Sequence, residues 1–145
     1  MRSLKSLTMA AFALLTFLFL APATQAHAQF PAYLHAISDL RSARAYLQMD
    51  NRPNQAAARD YAIKEISRAI DDMKKAAVED AKNPWRTPPP QSGGSPSLPV
   101  HSAVKLLKEA RHDAESGRDA PENVGLQLRS LEHIDKALQA LTPFL

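Results

Sequence analysis

YAIKEISRAIDDMKKAA, residues 61–77, is the stretch from which the rest of the chain can be read. Ile63, Ile66, Ile70, Met73 and Ala77 recur at steps of three and four, which lines them along one stripe of an α-helix. A shorter version returns near the C-terminus as LEHIDKALQAL, Leu131 to Leu141, where Leu131, Ile134, Leu138 and Leu141 keep the same spacing. A one-sided apolar stripe is stable in water only when it is covered, so each segment predicts partner helices.

The partners lie on either side. Tyr33, Ile37, Leu40, Ala43 and Leu47 share one apolar arc and predict a helix over about 31–49, opened by Phe30-Pro31. Asp50-Asn51-Arg52-Pro53-Asn54 reads as a turn, and Asn54 caps a second helix over about 54–82. Ser97 caps a third, about 98–116, with Val100, Val104, Leu107, Ala110 and Ala114 on one face and Gly117 as its stop. Asp119-Ala120-Pro121-Glu122 has the form of a capping box for a fourth, about 120–141, which Pro143 ends.

The halves resemble each other. Setting Ala43-Arg44 on Ala110-Arg111 puts Ile37 on Val104 and Leu40 on Leu107; setting Ile66 on Ile134 puts Ile63 on Leu131, Ala69 on Ala137 and Ile70 on Leu138. Each half is therefore a helical hairpin that cannot bury its stripe alone. The predicted fold is an all-α, up-down-up-down four-helix bundle made of two similar hairpins. A repeat-type hairpin array is the alternative, for which two units are few. The hairpins are joined by a Pro-rich linker, residues 83–97, within NPWRTPPPQSGGSPSLP, Asn83 to Pro99; the six prolines of that stretch and Gly93-Gly94 exclude a helix or central strand. The expectation for it is an extended, mobile crossover, with Trp85 covering the end of the core.

Residues 1–28 have the pattern of a signal peptide: Arg2 and Lys5, an apolar run from Leu7 to Ala23, then Ala26-His27-Ala28 as the cleavage box. The apolar run approaches the length of a bilayer span, so a retained anchor is the competing reading; the box directly after it and the lack of a basic stop-transfer cluster favour cleavage before Gln29. The domain is then 29–145, exported to the periplasm or outside, with no stable membrane insertion. Two of the 18 Lys and Arg lie in the signal, leaving 16 against 15 acids, so the pI of about 9.3 overstates the basicity. A near-neutral, mixed surface gives no expectation of nucleic-acid binding. With no cysteine the chain has no disulfides, thiolate metal sites or c-type haem attachment.

Two arginines break the apolar arcs. Arg44 falls near the centre of its arc, and Arg111 holds the same place in the second half. One reading is a pair of inward ligand-binding arginines for an anion; the other is structural, with stems reaching solvent near a helix C-terminus and pairing with acids such as Asp60 or Glu122. His35, His101 and His133 would fall at one end of an up-down bundle, with Asp135 level with His101, but none has the spacing of a helical metal pair, and solvated histidines are expected. Met49 and Met73 could supply a haem thioether ligand beside a histidine, but Met73 sits in the apolar stripe and is better read as core packing. No phosphate loop, nucleophile elbow or zinc-protease motif occurs, so no catalytic, cofactor or metal residues are assigned and an enzyme is not expected.

At PAYLHAISDLRSAR, Pro31 to Arg44, and AIKEISRAIDDMKKAAVEDAKN, Ala62 to Asn83, the chain resembles a family of small exported bacterial proteins of unassigned function; HSAVKLLKEAR and LEHIDKAL extend the resemblance weakly. The resemblance implies an all-helical exported domain and brings no catalytic residues. Ala81 stands where such proteins are expected to carry a helix-ending Gly, which implies that the second helix runs on. The functional expectation is a protein-interaction or structural module, with Tyr46, Tyr61 and Trp85 as its surface, an unidentified protein partner and a homodimer as one form it could take. The alternative is a carrier bundle for a small ligand, an anion or a metal or haem.

Overall fold

A computed structural model describes residues 32–79, 81–116 and 123–145. They form four helices, α1 (Ala32–Met49), α2 (Ala56–Glu79), α3 (Pro99–Ser116) and α4 (Val124–Leu141), with single 3-10 turns at Pro53–Gln55 and Thr142–Phe144. The fold is an all-α four-helix bundle of two hairpins joined by the Pro-rich segment. The signal pattern, Phe30-Pro31, Gly117 and the Asp119 to Glu122 capping box lie outside the described residues. Among the described residues no helix is long and apolar enough to cross a membrane.

The stripes read from the sequence are the core. Ile37, Leu40 and Leu47 of α1, Ile66 and Ile70 of α2, Leu106 and Leu107 of α3, and Ile134 and Leu141 of α4 are all buried. Each such side chain contributes on the order of 1.5–3 kcal/mol by leaving water. Ile63, Leu131 and Leu138 sit half-buried at the stripe edges. Alanines complete the core: Ala36 and Ala43 on α1, Ala62 and Ala69 on α2, Ala103 and Ala110 on α3, and Ala137 on α4 are all fully buried.

The helix order departs from expectation. On the α2–α4 side His133 meets Glu65 while Arg129 meets Asp72, so the two helices are antiparallel. On the α1–α3 side Asp39 and Glu109 are held by the neighbouring residues Gln91 and Ser92, and Tyr46 and Ser102 both lie against Gly94, which again gives opposite directions. Because α1 is antiparallel to α2 through its tight turn and also to α3, helices α2 and α3 run the same way. The order is up-down-down-up, not the predicted up-down-up-down. The cause is the Pro-rich segment. A tight turn must reverse the chain, but 18 residues from Ala81 to Leu98 at up to about 3.3 Å each can run the roughly 27 Å length of an 18-residue helix and return the chain in its former direction. The fold is thus a bundle with one long crossover.

This order turns the internal repeat into a spatial symmetry. Helix α1 packs most extensively against its equivalent α3, and α2 against its equivalent α4, both antiparallel, with α1–α2 and α3–α4 as the lesser contacts. The hairpins are related by a pseudo-two-fold axis across the bundle. Glu65 and His133 are equivalent residues in the alignment that sets Ile66 on Ile134, and they touch each other, which places them beside that axis.

Helix α2 does not run on at Ala81. The N–H of Lys82 donates to the carbonyl of Ala77 (2.8 Å) and that of Ala81 to Val78 (3.0 Å), the paired bonds of a Schellman cap, and Ala81 itself takes the left-handed conformation with φ of 54°. The backbone keeps the geometry that glycine would favour and imposes it on an alanine.

Candidate functional site

The crossover is a docked strap rather than a free loop. It leaves the end of α2, crosses α1 and follows the α1–α3 groove to the start of α3, and each stage is fastened by a side chain of the bundle. Asn83 begins it with an Asx turn, its Oδ1 accepting from the N–H of Trp85 at 2.9 Å. Arg41 on α1 then donates to the carbonyl of Pro84 and to Thr87 Oγ1, each at 3.3 Å. Pro88, within the strap, is buried. The N–H of Gln91 donates to Asp39 Oδ1 at 2.8 Å, its side-chain amide donates to Asp113, and Ser92 Oγ donates to Glu109 Oε2 at 2.7 Å. The N–H of Gly94 donates to Tyr46 Oη at 3.0 Å, and Ser102 Oγ bonds both the N–H and the carbonyl of Ser95 at 2.8 and 3.2 Å. Gly94 has to be glycine for space: a Cβ there would lie 2.5 Å from the Tyr46 ring and 2.6 Å from Ser102 Cβ.

Under this strap lies the residue that sequence reasoning missed. Asp39 is completely buried, and its Oδ2 has no hydrogen-bond partner among the described residues. Burial pushes its carboxyl up to about 6, the Gln91 N–H draws it back, and the nearby charges of Glu109 and Asp113 raise it further. Asp113 is raised as well, chiefly by burial, against the opposing pull of His35, His112 and Gln91. Nothing in the periodicity of α1 marks Asp39, because it flanks the apolar arc and owes its burial to the strap. Among the described residues no group of three His, Asp or Glu is placed to hold a metal.

The two arginines make equivalent contacts in separate places. Arg44 Nη1 donates to Ser67 Oγ at 3.3 Å within the first hairpin; Arg111 Nε donates to Asp135 at 2.6 Å within the second, and its Nη1 donates to Glu115 at 2.5 Å. Ser67 and Asp135 are themselves equivalent in the Ile66-on-Ile134 register, so the duplication extends to the arginines' partners. The carboxylates beside Arg111 raise its affinity for its proton, Asp135 foremost. Each arginine serves its own hairpin groove, and the structure does not bring them together. Asp60, the expected partner of Arg44, pairs instead with Arg59, and Glu122 lies outside the described residues.

The histidines do not share one end. With α1 and α3 antiparallel, His35 lies by the end of α3 near Asp113, whereas His101 is exposed in the first turn of α3; Asp135 is beside Arg111, not level with His101. His133, expected in solvent, is half-buried and shares a 2.6 Å hydrogen bond with Glu65, whose other oxygen accepts from Arg68 at 2.6 Å. Met73 is core and Met49 is exposed.

The expected aromatic surface is divided too. Tyr46 is half-buried and anchors the strap. Tyr61 is exposed on α2, but lies about 20 Å along the helix axis from Lys74, at 1.5 Å per residue. Trp85 does not cover the core: it is 71 % exposed. Lys74 Nζ lies 4.6 Å from its ring centroid and the Arg41 guanidinium carbon 5.8 Å, so two cations hold the indole in place. Beside it is an open groove of about 310 Å³ between α2 and the strap, lined by Lys74, Lys75, Val78, Glu79, Pro84 and Trp85.

Fold and site together define a duplicated four-helix bundle whose strap presents one tryptophan at the surface and seals one buried acid beneath. Compared with protein-family models, with curated proteins and with solved structures, the chain matches none.

Proposed function

We propose that the chain is an exported, periplasmic, non-enzymatic bundle that serves as a protein-interaction module, with the Trp85 groove as its contact surface. The observation that carries this reading is Trp85 itself, 71 % exposed yet held by Arg41 and Lys74, beside Val78 at 63 % exposure. Large apolar side chains grouped on a surface are costly to solubility, and tryptophan is enriched where partners bind. The Arg2 to Ala28 pattern supports export. The carrier reading draws on Arg44 and Arg111, and their engagement within separate hairpins weakens it.

A photo-crosslinking residue at Val78, in the full chain expressed in its own compartment, tests the reading against the same residue at Gln139, exposed on α4. A protein adduct specific to position 78 is expected. Equal adducts at both positions would overturn it, and so would native mass spectrometry showing a stoichiometric small anion, metal or haem on the purified protein.

A further inference from the structure

The groove beside Trp85 also indicates the chemistry of what it takes; this inference rests on the interaction reading above. Its floor and walls are apolar, formed by Val78, Pro84, the indole and the stems of the lysines. Around it the cations are concentrated. Lys75, Lys82 and Arg86 are exposed and Arg41 and Lys74 lie at the indole, whereas the acids of the same stretch are Asp71, 4.0 Å from Lys74, Glu79, the Asp80 that follows it in sequence, and Asp72, which is buried and already paired with Arg129. On a chain whose charges otherwise nearly balance, this is a local excess of positive charge around an exposed aromatic.

We propose that the groove binds an acidic polypeptide segment, one aliphatic or proline side chain seated against Trp85 and Val78 and flanking carboxylates paired with Lys75 and Arg86. Shape favours a chain segment over an anionic bilayer. The groove is concave and the indole forms one of its walls beneath the Lys74 ammonium, whereas insertion into a bilayer requires a protruding, uncapped apolar tip. Charge complementarity at such a rim acts through association and specificity, and the apolar contact holds the complex.

Trp85 is the chain's single tryptophan, so its emission reports on this groove alone. The probe is a short synthetic peptide of Asp and Glu flanking a Leu-Pro pair, compared with versions carrying Gln or Lys in place of the acids. The acidic peptide is expected to shift the emission saturably. Charge reversal at Lys75→Glu and Arg86→Glu, which leaves Arg41 and Lys74 on the indole, is expected to weaken that binding about tenfold, the modest effect of solvent-exposed rim charges. Salt raised from about 0.15 to about 1 M, which shortens the Debye length from roughly 8 to 3 Å, should weaken it likewise. Equal binding of the Gln or Lys peptides overturns the proposal, as does an emission shift with phosphatidylglycerol vesicles and none with peptide. A Val78 crosslink that persists unchanged in the charge-reversed protein keeps the interaction module and removes the acidic partner; loss of both the crosslink and the peptide response in the unaltered protein removes both.

Discussion

The α1–α3 and α2–α4 interfaces are equivalent in backbone terms, each an antiparallel pairing of a helix with its own repeat, yet they bury a carboxylate under opposite conditions. On the open α2–α4 side Glu65 is paired on both oxygens, by Arg68 and His133. On the strapped α1–α3 side Asp39 receives one backbone N–H and lies near two further acids. The open side neutralises its buried charge with side chains. The strapped side leaves it nearly uncompensated, and the strap must be held down against that cost.

The most severe break of the comparison is in the core that both sides share. Ile70→Asp puts an unpaired charge among Ile66, Met73 and the α4 stripe and should cost more than about 4 kcal/mol, removing the cooperative thermal transition seen by circular dichroism. The equivalent change, Leu138→Asp, falls on a half-buried residue that can turn its carboxylate to solvent, and should keep a cooperative but lowered melt. Equal behaviour of the two would mean that the hairpins are packed more alike than their burial indicates.

The two carboxylates should then answer to mutation with opposite signs. Glu65→Ala removes the partner of Arg68 and His133 from the open interface and is expected to lower stability by about 1–3 kcal/mol in urea titrations at neutral pH. Gly94→Ala tests the strapped side by geometry: the added Cβ meets the Tyr46 ring and Ser102, so that stretch of strap must lift or the ring must move, at about 1–3 kcal/mol. If Gly94→Ala melts like the parent protein, the strap is not seated as described.

Asp39→Asn should stabilise. The Asn carbonyl can still accept from Gln91, and its amide can donate toward Glu109 or Asp113. The folded carboxyl holds its proton up to about 6 against an ordinary 3.8, so the folded chain binds more protons than the unfolded one between those values. Stability from this group is therefore highest below about pH 4 and falls as pH rises to 6. The variant should lie below the parent near pH 4, match it near pH 5 and exceed it by about 1–2 kcal/mol at pH 7.5, at 1.36 kcal/mol per pKa unit less the penalty that remains at every pH for a buried amide. Asp50, whose carboxyl Arg52 holds below its usual range, acts in the opposite sense, so the comparison between variant and parent, not the parent's curve alone, isolates Asp39.

These signs mark where the sequence could and could not be read. The four stripes, the hairpin turn at Asp50 to Asn54 and the equivalence of Arg44 with Arg111 follow from periodicity and alignment, which depend only on residues a few positions apart or a repeat apart. Helix direction does not. It turns on whether the Pro-rich segment ends where it began or travels the bundle, and no local pattern separates a long loop at one end from a strap along one side. Asp39 was hidden for the same reason, since its burial is made by residues about fifty positions later. Trp85 stands out in the sequence as the strap's one large aromatic, but the sequence does not separate a cover for the end of the core from a surface contact, because the cations that hold it outside come from α1 and α2.

Where α2 meets the strap, the smallest effect tests whether the strap's entry is set by backbone geometry. Ala81 occupies the left-handed position of the Schellman cap with φ of 54°, and an L-residue with a Cβ is strained there by about 1–2 kcal/mol relative to glycine. Glycine at that place also gains freedom in the unfolded chain, which offsets part of the relief. Ala81→Gly should therefore stabilise by about 0.5–1 kcal/mol, raising the urea midpoint without changing the slope of the transition. A destabilised Ala81→Gly would mean that the chain at Ala81 is helical and that α2 runs on. The strap would then begin later than Ala81, and the Asx turn that places Trp85 over Lys74 and Arg41 would have to be rebuilt from a different start.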